Sequence, residues 1–189
     1  MIPENFEKIL TERIALVSQG APGSIGDLMA YRVLSWDGEK QEATMTCKTL
    51  PWMRNFAGTL HGGLCATVVD QAMGYVSNAL RGGHAVVPTV QLSVNYHRPL
   101  DPGAEVLVKV RVESATRRFV TLTAQASQMD APEKLCLSAT GLYFTTDSGE
   151  KKEYSSCFAP NPGYPPGFGD RKIILKKVKK VLAFLEEVW

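Results

Sequence analysis

Between Gly62 and Leu80 the chain carries a single acidic residue, Asp70, among apolar side chains that recur on every side of a helix (Leu64, Val68, Val69, Ala72, Met73, Val76). A helix of that kind is expected to be buried, and burying an unpaired carboxylate costs several kcal/mol. Ala66 and Gly74 lie one turn away on the same face, and their small size leaves open space beside the acid. The ordinary structural explanation is that Asp70 caps a backbone group or pairs with an arginine such as Arg98. A different chemistry is suggested by the three residues that open the helix, His61, Gly62 and Gly63. Glycine amides at a helix N-terminus point unpaired N–H groups at the positive end of the dipole, and a bare backbone lets a carbonyl approach closely. Such a site can hold the negative charge that develops on a carbonyl oxygen during acyl transfer.

His61 and Asp70 are nine positions apart, half a turn out of phase and roughly 13 Å apart along the axis. One helix cannot bring the two together. If they share a site, the aspartate of one subunit must meet the His-Gly-Gly end of another, as antiparallel helices about a two-fold axis allow. The spacing therefore predicts an obligate homodimer with two composite sites.

The elements that position these residues follow from the pattern. Phe6, Ile9, Leu10, Ile14 and Val17 have helical spacing, so residues 4–18 are expected to form an amphipathic helix that "GAPGSIG" ends. Strand character is expected from about Asp27, with a hairpin at "DGEK", then a long helix over about 62–80 that stops at Gly82 and Gly83. These glycines and His84 read as a plain helix stop or as an entrance to a site. Four further strands follow, with Val90, Leu92, Val94 and Tyr96 alternating against Thr89, Gln91, Ser93 and Asn95, and Val106, Val108, Val110 and Val112 on one face. One apolar helix serving five to six antiparallel strands is an α+β arrangement in which the sheet wraps the helix. The expected organisation is an N-terminal helical segment (1–26), a domain over 27–146, a Pro/Gly-rich linker (147–170) and a basic amphipathic helix (171–189). The apolar stripe of that last helix is expected to dock on its own domain or on a symmetry mate rather than on a membrane, given Glu186 and Glu187.

Composition narrows the function classes. A net charge of +2 with 21% charged residues is ordinary for a globular protein and gives no reason to expect a nucleic-acid partner. No apolar run reaches spanning length and the first residues mix acids with bases, so a soluble, cytoplasmic protein is expected. Cys47, Cys65, Cys136 and Cys157 form no metal-binding or dithiol spacing and read as small core residues; a nucleophilic pairing of Cys65 with His61 is the less favoured alternative. No metal site is expected.

The run "NFAGTLHGGLCATVVD" followed by "VPTVQLSVNYHRP" resembles the hotdog-fold acyl-CoA thioesterases of the PaaI-like, phenylacetate-pathway branch, over about Asp27 to Thr146. The resemblance implies a hotdog fold, a dimer often stacked into a dimer of dimers, and hydrolysis of an acyl-CoA thioester without metal or redox cofactor. It implies Asp70 as general base or nucleophile and Gly62, or Gly63 beside it, as the backbone donor to the thioester oxygen. It further implies that Asn55 and His61 orient the thioester and that Thr89 holds the attacking water. Coenzyme A carries phosphates, and Arg98, Arg117 and Arg118 are the cations that could meet them. A non-catalytic acyl-CoA sensor and a hotdog hydratase or dehydratase are the competing readings. The residues before the first strand are too few for a DNA-binding module, and the motif fits the thioesterase branch better than the dehydratases.

Overall fold

The computed structural model describes residues 2–20, 23–83, 85 and 87–145. Helix α1 (Phe6–Gly20) is followed by a helical turn, α2 (Ile25–Leu28), then strands β1 (Arg32–Asp37) and β2 (Glu42–Lys48). A 3-10 turn at Pro51–Met53 leads to helix α3 (Gly62–Ala79), and β3 (Thr89–Tyr96), β4 (Glu105–Ala115), β5 (Phe119–Gln128) and β6 (Leu137–Phe144) complete the chain order. The six strands form one antiparallel sheet in the order β1-β2-β4-β5-β6-β3. The strand expected from Asp27 begins only at Arg32, because Ser24 caps the α2 turn by accepting from the Asp27 N–H and Asp27 itself accepts from Gly23 N. The anticipated hairpin at 38–41 is present, and the Asp37 carboxylate accepts the backbone N–H groups of Glu39 and Lys40 inside it.

Alternation along the sheet decides where the core sits. Val106, Val108, Val110 and Val112 of β4, Val120, Leu122, Ala124 and Ala126 of β5, and Leu137, Ala139 and Tyr143 of β6 are buried, while the intervening residues are more exposed or face outward. This inner face meets α3, whose Val68, Val69, Ala72, Met73 and Val76 are all fully buried. The valine and methionine side chains among them contribute about 1.5–3 kcal/mol each on burial. Phe6, Leu10 and Ile14 of α1 join the same core, and Phe6 lies against Trp36 of β1 with ring centroids 4.2 Å apart.

Small residues on the inner face of the central strands let the helix come close. At Gly141 of β6, a Cβ would stand 2.7 Å from the Tyr143 ring and 3.1 Å from the end of Met73. Met73 can yield, but the Tyr143 ring is buried and fixed by its own hydrogen bonds. Gly74 on α3 is the opposite case, since a Cβ there meets nothing within 4 Å. Gly141→Ala is therefore expected to cost about 1–3 kcal/mol of stability through overpacking, whereas Gly74→Ala gains up to about 1 kcal/mol from helix propensity. Urea unfolding midpoints of the two variants, at unchanged m-value, check the opposite signs.

Candidate functional site along helix α3

The loop before α3 is built by Asn55. Its Oδ1 accepts the N–H groups of Ala57 (2.9 Å) and Thr59 (3.2 Å), and its Nδ2 donates to Thr59 Oγ1 (2.9 Å). Gly58 supplies the left-handed conformation (φ 87°) that closes this loop. The side-chain hydrogen bonds of Asn55 are thus made within its own loop. His61 is the N-cap of α3, its Nδ1 accepting from Gly63 N at 3.1 Å, so the neutral ring carries its proton on Nε2. That bond separates the two glycines, because the Gly63 amide is engaged by the cap and the Gly62 amide is not. Tyr96, at the far end of β3, donates its hydroxyl to the Gly62 carbonyl at 3.0 Å and so ties the helix start to the edge strand.

Asp70 is half-buried rather than buried, and it is neither a cap nor the partner of Arg98. Its Oδ1 accepts from Thr89 Oγ1 at 2.9 Å and from the Tyr143 hydroxyl at 2.8 Å; the same hydroxyl lies 3.1 Å from the Asp70 carbonyl. Burial, together with the neighbouring Asp70 charge, pushes the Tyr143 phenol far above its ordinary value, so it remains a protonated donor. The position of Thr89 corrects the alternation read along β3. Thr89 pairs with Tyr143 and Gln91 pairs with Leu142, which leaves Val90 as an extra residue in a β-bulge. The bulge turns Thr89 inward beside Tyr143, away from the face shared by Gln91, Ser93 and Asn95. For the same reason Val90 is 53% exposed instead of facing the core with the half-buried Leu92 and Val94. Asp70, Thr89 and Tyr143 border a cleft of about 200 Å³ that runs past Gly74 toward α1.

The three arginines fall into two groups. Arg98 lies beyond the Tyr96 end of β3 and donates to the Leu135 carbonyl at 2.9 Å. Arg117 and Arg118 occupy the β4–β5 turn at the Thr89 end, where their carbonyls accept from Thr145 Oγ1 (3.1 Å) and Thr145 N (2.7 Å). Roughly 25 Å of strand separates the two groups, so within one chain they do not flank a common mouth. Nor does one chain pair His61 with Asp70, whose bonds run to Gly63 and to the sheet, respectively. Cys65 is a buried thiol pushed up to about 11 by its burial, and its Sγ approaches the Leu60 carbonyl rather than His61. A cysteine in that state is no nucleophile. His84 and Cys157 lie outside the described residues.

Tyr143 and Tyr96 are the participants that sequence reasoning missed. A signal for Tyr143 was present: it falls on the inward-facing set of β6 with Leu137, Ala139 and Gly141, and a tyrosine buried there needs an acceptor. The single carboxylate on α3 supplies it. Tyr143→Phe keeps the ring and removes a hydrogen bond to a charged acceptor, so stability is expected to fall by about 1.5–3 kcal/mol, read as a lower denaturant midpoint.

Residues 57–132 match the family model of the thioesterase superfamily, which spans α3 and strands β3 to β5. The chain is similar to the acyl-coenzyme A thioesterase THEM4 of Bos taurus, 30% identical over 145 residues that make up 77% of this chain and 57% of that protein. It spans about half the length of the curated relatives it matches. Among solved structures it resembles a hypothetical thioesterase of Streptococcus pneumoniae TIGR4 crystallised with coenzyme A, with a TM-score of 0.53, 23% identity and coverage of 62% of this chain and 89% of that one. It likewise resembles the E. coli PaaI protein from the phenylacetic acid degradation operon, with a TM-score of 0.61, 13% identity and coverage of 75% and 96%. At those identities the likeness is one of fold. A sheet of six antiparallel strands around α3, matched in sequence over its central elements by the thioesterase superfamily model, gives this chain the hotdog fold of the thioesterases it resembles.

Proposed function

We propose that the protein hydrolyses an acyl-CoA thioester to the free acid and coenzyme A, at sites shared by two copies of the chain. The observation that carries this reading is the Asp70 carboxylate, held at the edge of an open cleft by two hydroxyl donors on one oxygen. Thr89 and Tyr143 both occupy Oδ1, and Oδ2 carries neither of them. Oδ2 takes the proton of a water molecule as that water attacks the thioester carbonyl carbon. The charge that develops on the carbonyl oxygen is received by the Gly62 amide of a second copy, reinforced by the α3 dipole. Collapse of the tetrahedral intermediate breaks the C–S bond, and the proton held by Asp70 passes to the departing thiolate. The reaction uses groups of the chain and water alone.

The other assignments take their places around this step. Thr89 can accept a hydrogen bond from the water while donating to Asp70. Asn55 shapes the loop that presents His61 and Gly62, and Gly63 is engaged in the cap. Arg117 and Arg118 stand on the Asp70 side and Arg98 on the Gly62 side, so in a composite site both groups are available to coenzyme A phosphates. A second copy is supported by the sheet edge, where β3 ends the strand order and exposes Val90 and Tyr96, which is 55% accessible.

Asp70→Asn is expected to lower thiol release from a panel of acyl-CoA thioesters by roughly 10²- to 10⁴-fold, the usual worth of a positioned general base, with circular dichroism unchanged. A variant with the full wild-type rate overturns the mechanism, and wild type that binds acyl-CoA without turnover points instead to a binding protein. Direct attack by Asp70 is distinguished by single turnover in ¹⁸O-water, in which the first acid released would carry an unlabelled oxygen from the side chain.

A further inference from the structure

The cleft beside Asp70 continues between α3 and α1, and its character changes along the way. Near Asp70 it opens at Gly74, where no atom would meet a Cβ. The residues that follow these two in the helix, Gln71 after Asp70 and Tyr75 after Gly74, form the wall on the α1 side, and α1 adds Arg13 and Val17 across from them. Tyr75 is 2% exposed, and the polar side chain that reaches its hydroxyl is Gln71. Gln71 and the Arg13 charge are its polar neighbours and oppose the burial that pushes this phenol up to about 12, so it remains a donor. Gly26 of the α2 turn closes this end, since a Cβ there would stand 2.8 Å from both the Tyr75 hydroxyl and Val17. An apolar acyl chain would offer this end of the cleft no acceptor.

We infer that the acyl group accepted here is short and ends in an oxygen acceptor, a carboxylate or a hydroxyl, which the Arg13 guanidinium and the Tyr75 hydroxyl engage at the α1 end of the cleft. The inference rests on the thioesterase reading and names its substrate class. The volume supports the length, because about 200 Å³ holds roughly six or seven groups the size of a water molecule. The donors support the polarity: Arg13, Gln71 and Tyr75 bring a guanidinium, a primary amide and a phenol to one end, a set that matches an oxygen acceptor better than a terminal methyl. Arg13 and Tyr75 are specificity residues in this account, remote from the bond that breaks.

The test compares the coenzyme A thioesters of pentanoic, 5-hydroxypentanoic and pentanedioic acid on the full chain. The expected result is a higher kcat/KM for one or both oxygenated substrates than for pentanoyl-CoA. Arg13→Met and Tyr75→Phe are expected to lower that preference about tenfold or more, the effect of losing a hydrogen bond to a charged or buried partner. Arg13→Lys should restore part of the preference for the carboxylate, which a purely structural role of Arg13 would not do. Titration of the three acyl-CoA thioesters into Asp70→Asn, followed by NMR, gives a readout that does not depend on turnover. If no thioester is cleaved by the wild type, the thioesterase reading fails, and binding of the three thioesters alone decides the inference. Equal treatment of all three chains, or a preference that both variants leave intact, overturns the inference while leaving hydrolysis standing.

Discussion

The contact on which the architecture turns is the clasp between Asp70 and the sheet. One carboxylate oxygen takes hydroxyl donors from Thr89 on β3 and Tyr143 on β6, two strands that are neighbours in the sheet. The clasp fixes the rotation of α3 about its own axis, which dispersion between aliphatic side chains leaves poorly defined. It also offsets the desolvation of a half-buried charge, because charge-assisted hydrogen bonds of this kind contribute about 1.5–3 kcal/mol each. Around it the sequence makes local concessions. Gly74 gives up about 1 kcal/mol of helix propensity and keeps the space beside the acid open, and Gly141 gives up a side chain so that the Tyr143 ring can lie flat against the strand.

The bulge at Val90 is the second device. Strict alternation would send Thr89 to the outer face, and the extra residue reverses that for the one position that reaches Asp70. The same irregularity pushes Val90 into the open at a sheet edge, where an apolar side chain is a liability unless something covers it. The inward threonine and the exposed valine are therefore two results of a single backbone insertion.

Much of this was legible in the residues, and the parts that were not have identifiable causes. The apolar circumference of 62–80 located α3 to within a residue, and the valine alternation of β4 and the Asp-Gly hairpin located the sheet. The gap beside Asp70 followed from Ala66 and Gly74. The bulge was invisible because Val90 continues the period of Leu92 and Val94, so hydrophobicity carries no trace of the extra residue. Tyr143 was missed because a tyrosine in a strand is ordinary until its face is known. The α2 turn was hidden because four residues capped by Ser24 leave too short a signal to separate from the strand that follows.

Edge strand β3 links these observations to the proposed composite site. At one end Tyr96 holds the carbonyl of Gly62, and at the other Thr89 holds the carboxylate of Asp70. Both halves of the proposed site are thus tied to the same strand, at opposite ends. An antiparallel pairing of β3 with its own copy about a two-fold axis reverses the strand, and so lays the Thr89 end of one chain beside the Tyr96 end of the other. The half-turn offset that keeps His61 and Asp70 apart on one helix is then no obstacle. In the proposed dimer the symmetry that would seal the exposed edge is the same symmetry that would join carboxylate to amide, twice, once on each side of the axis.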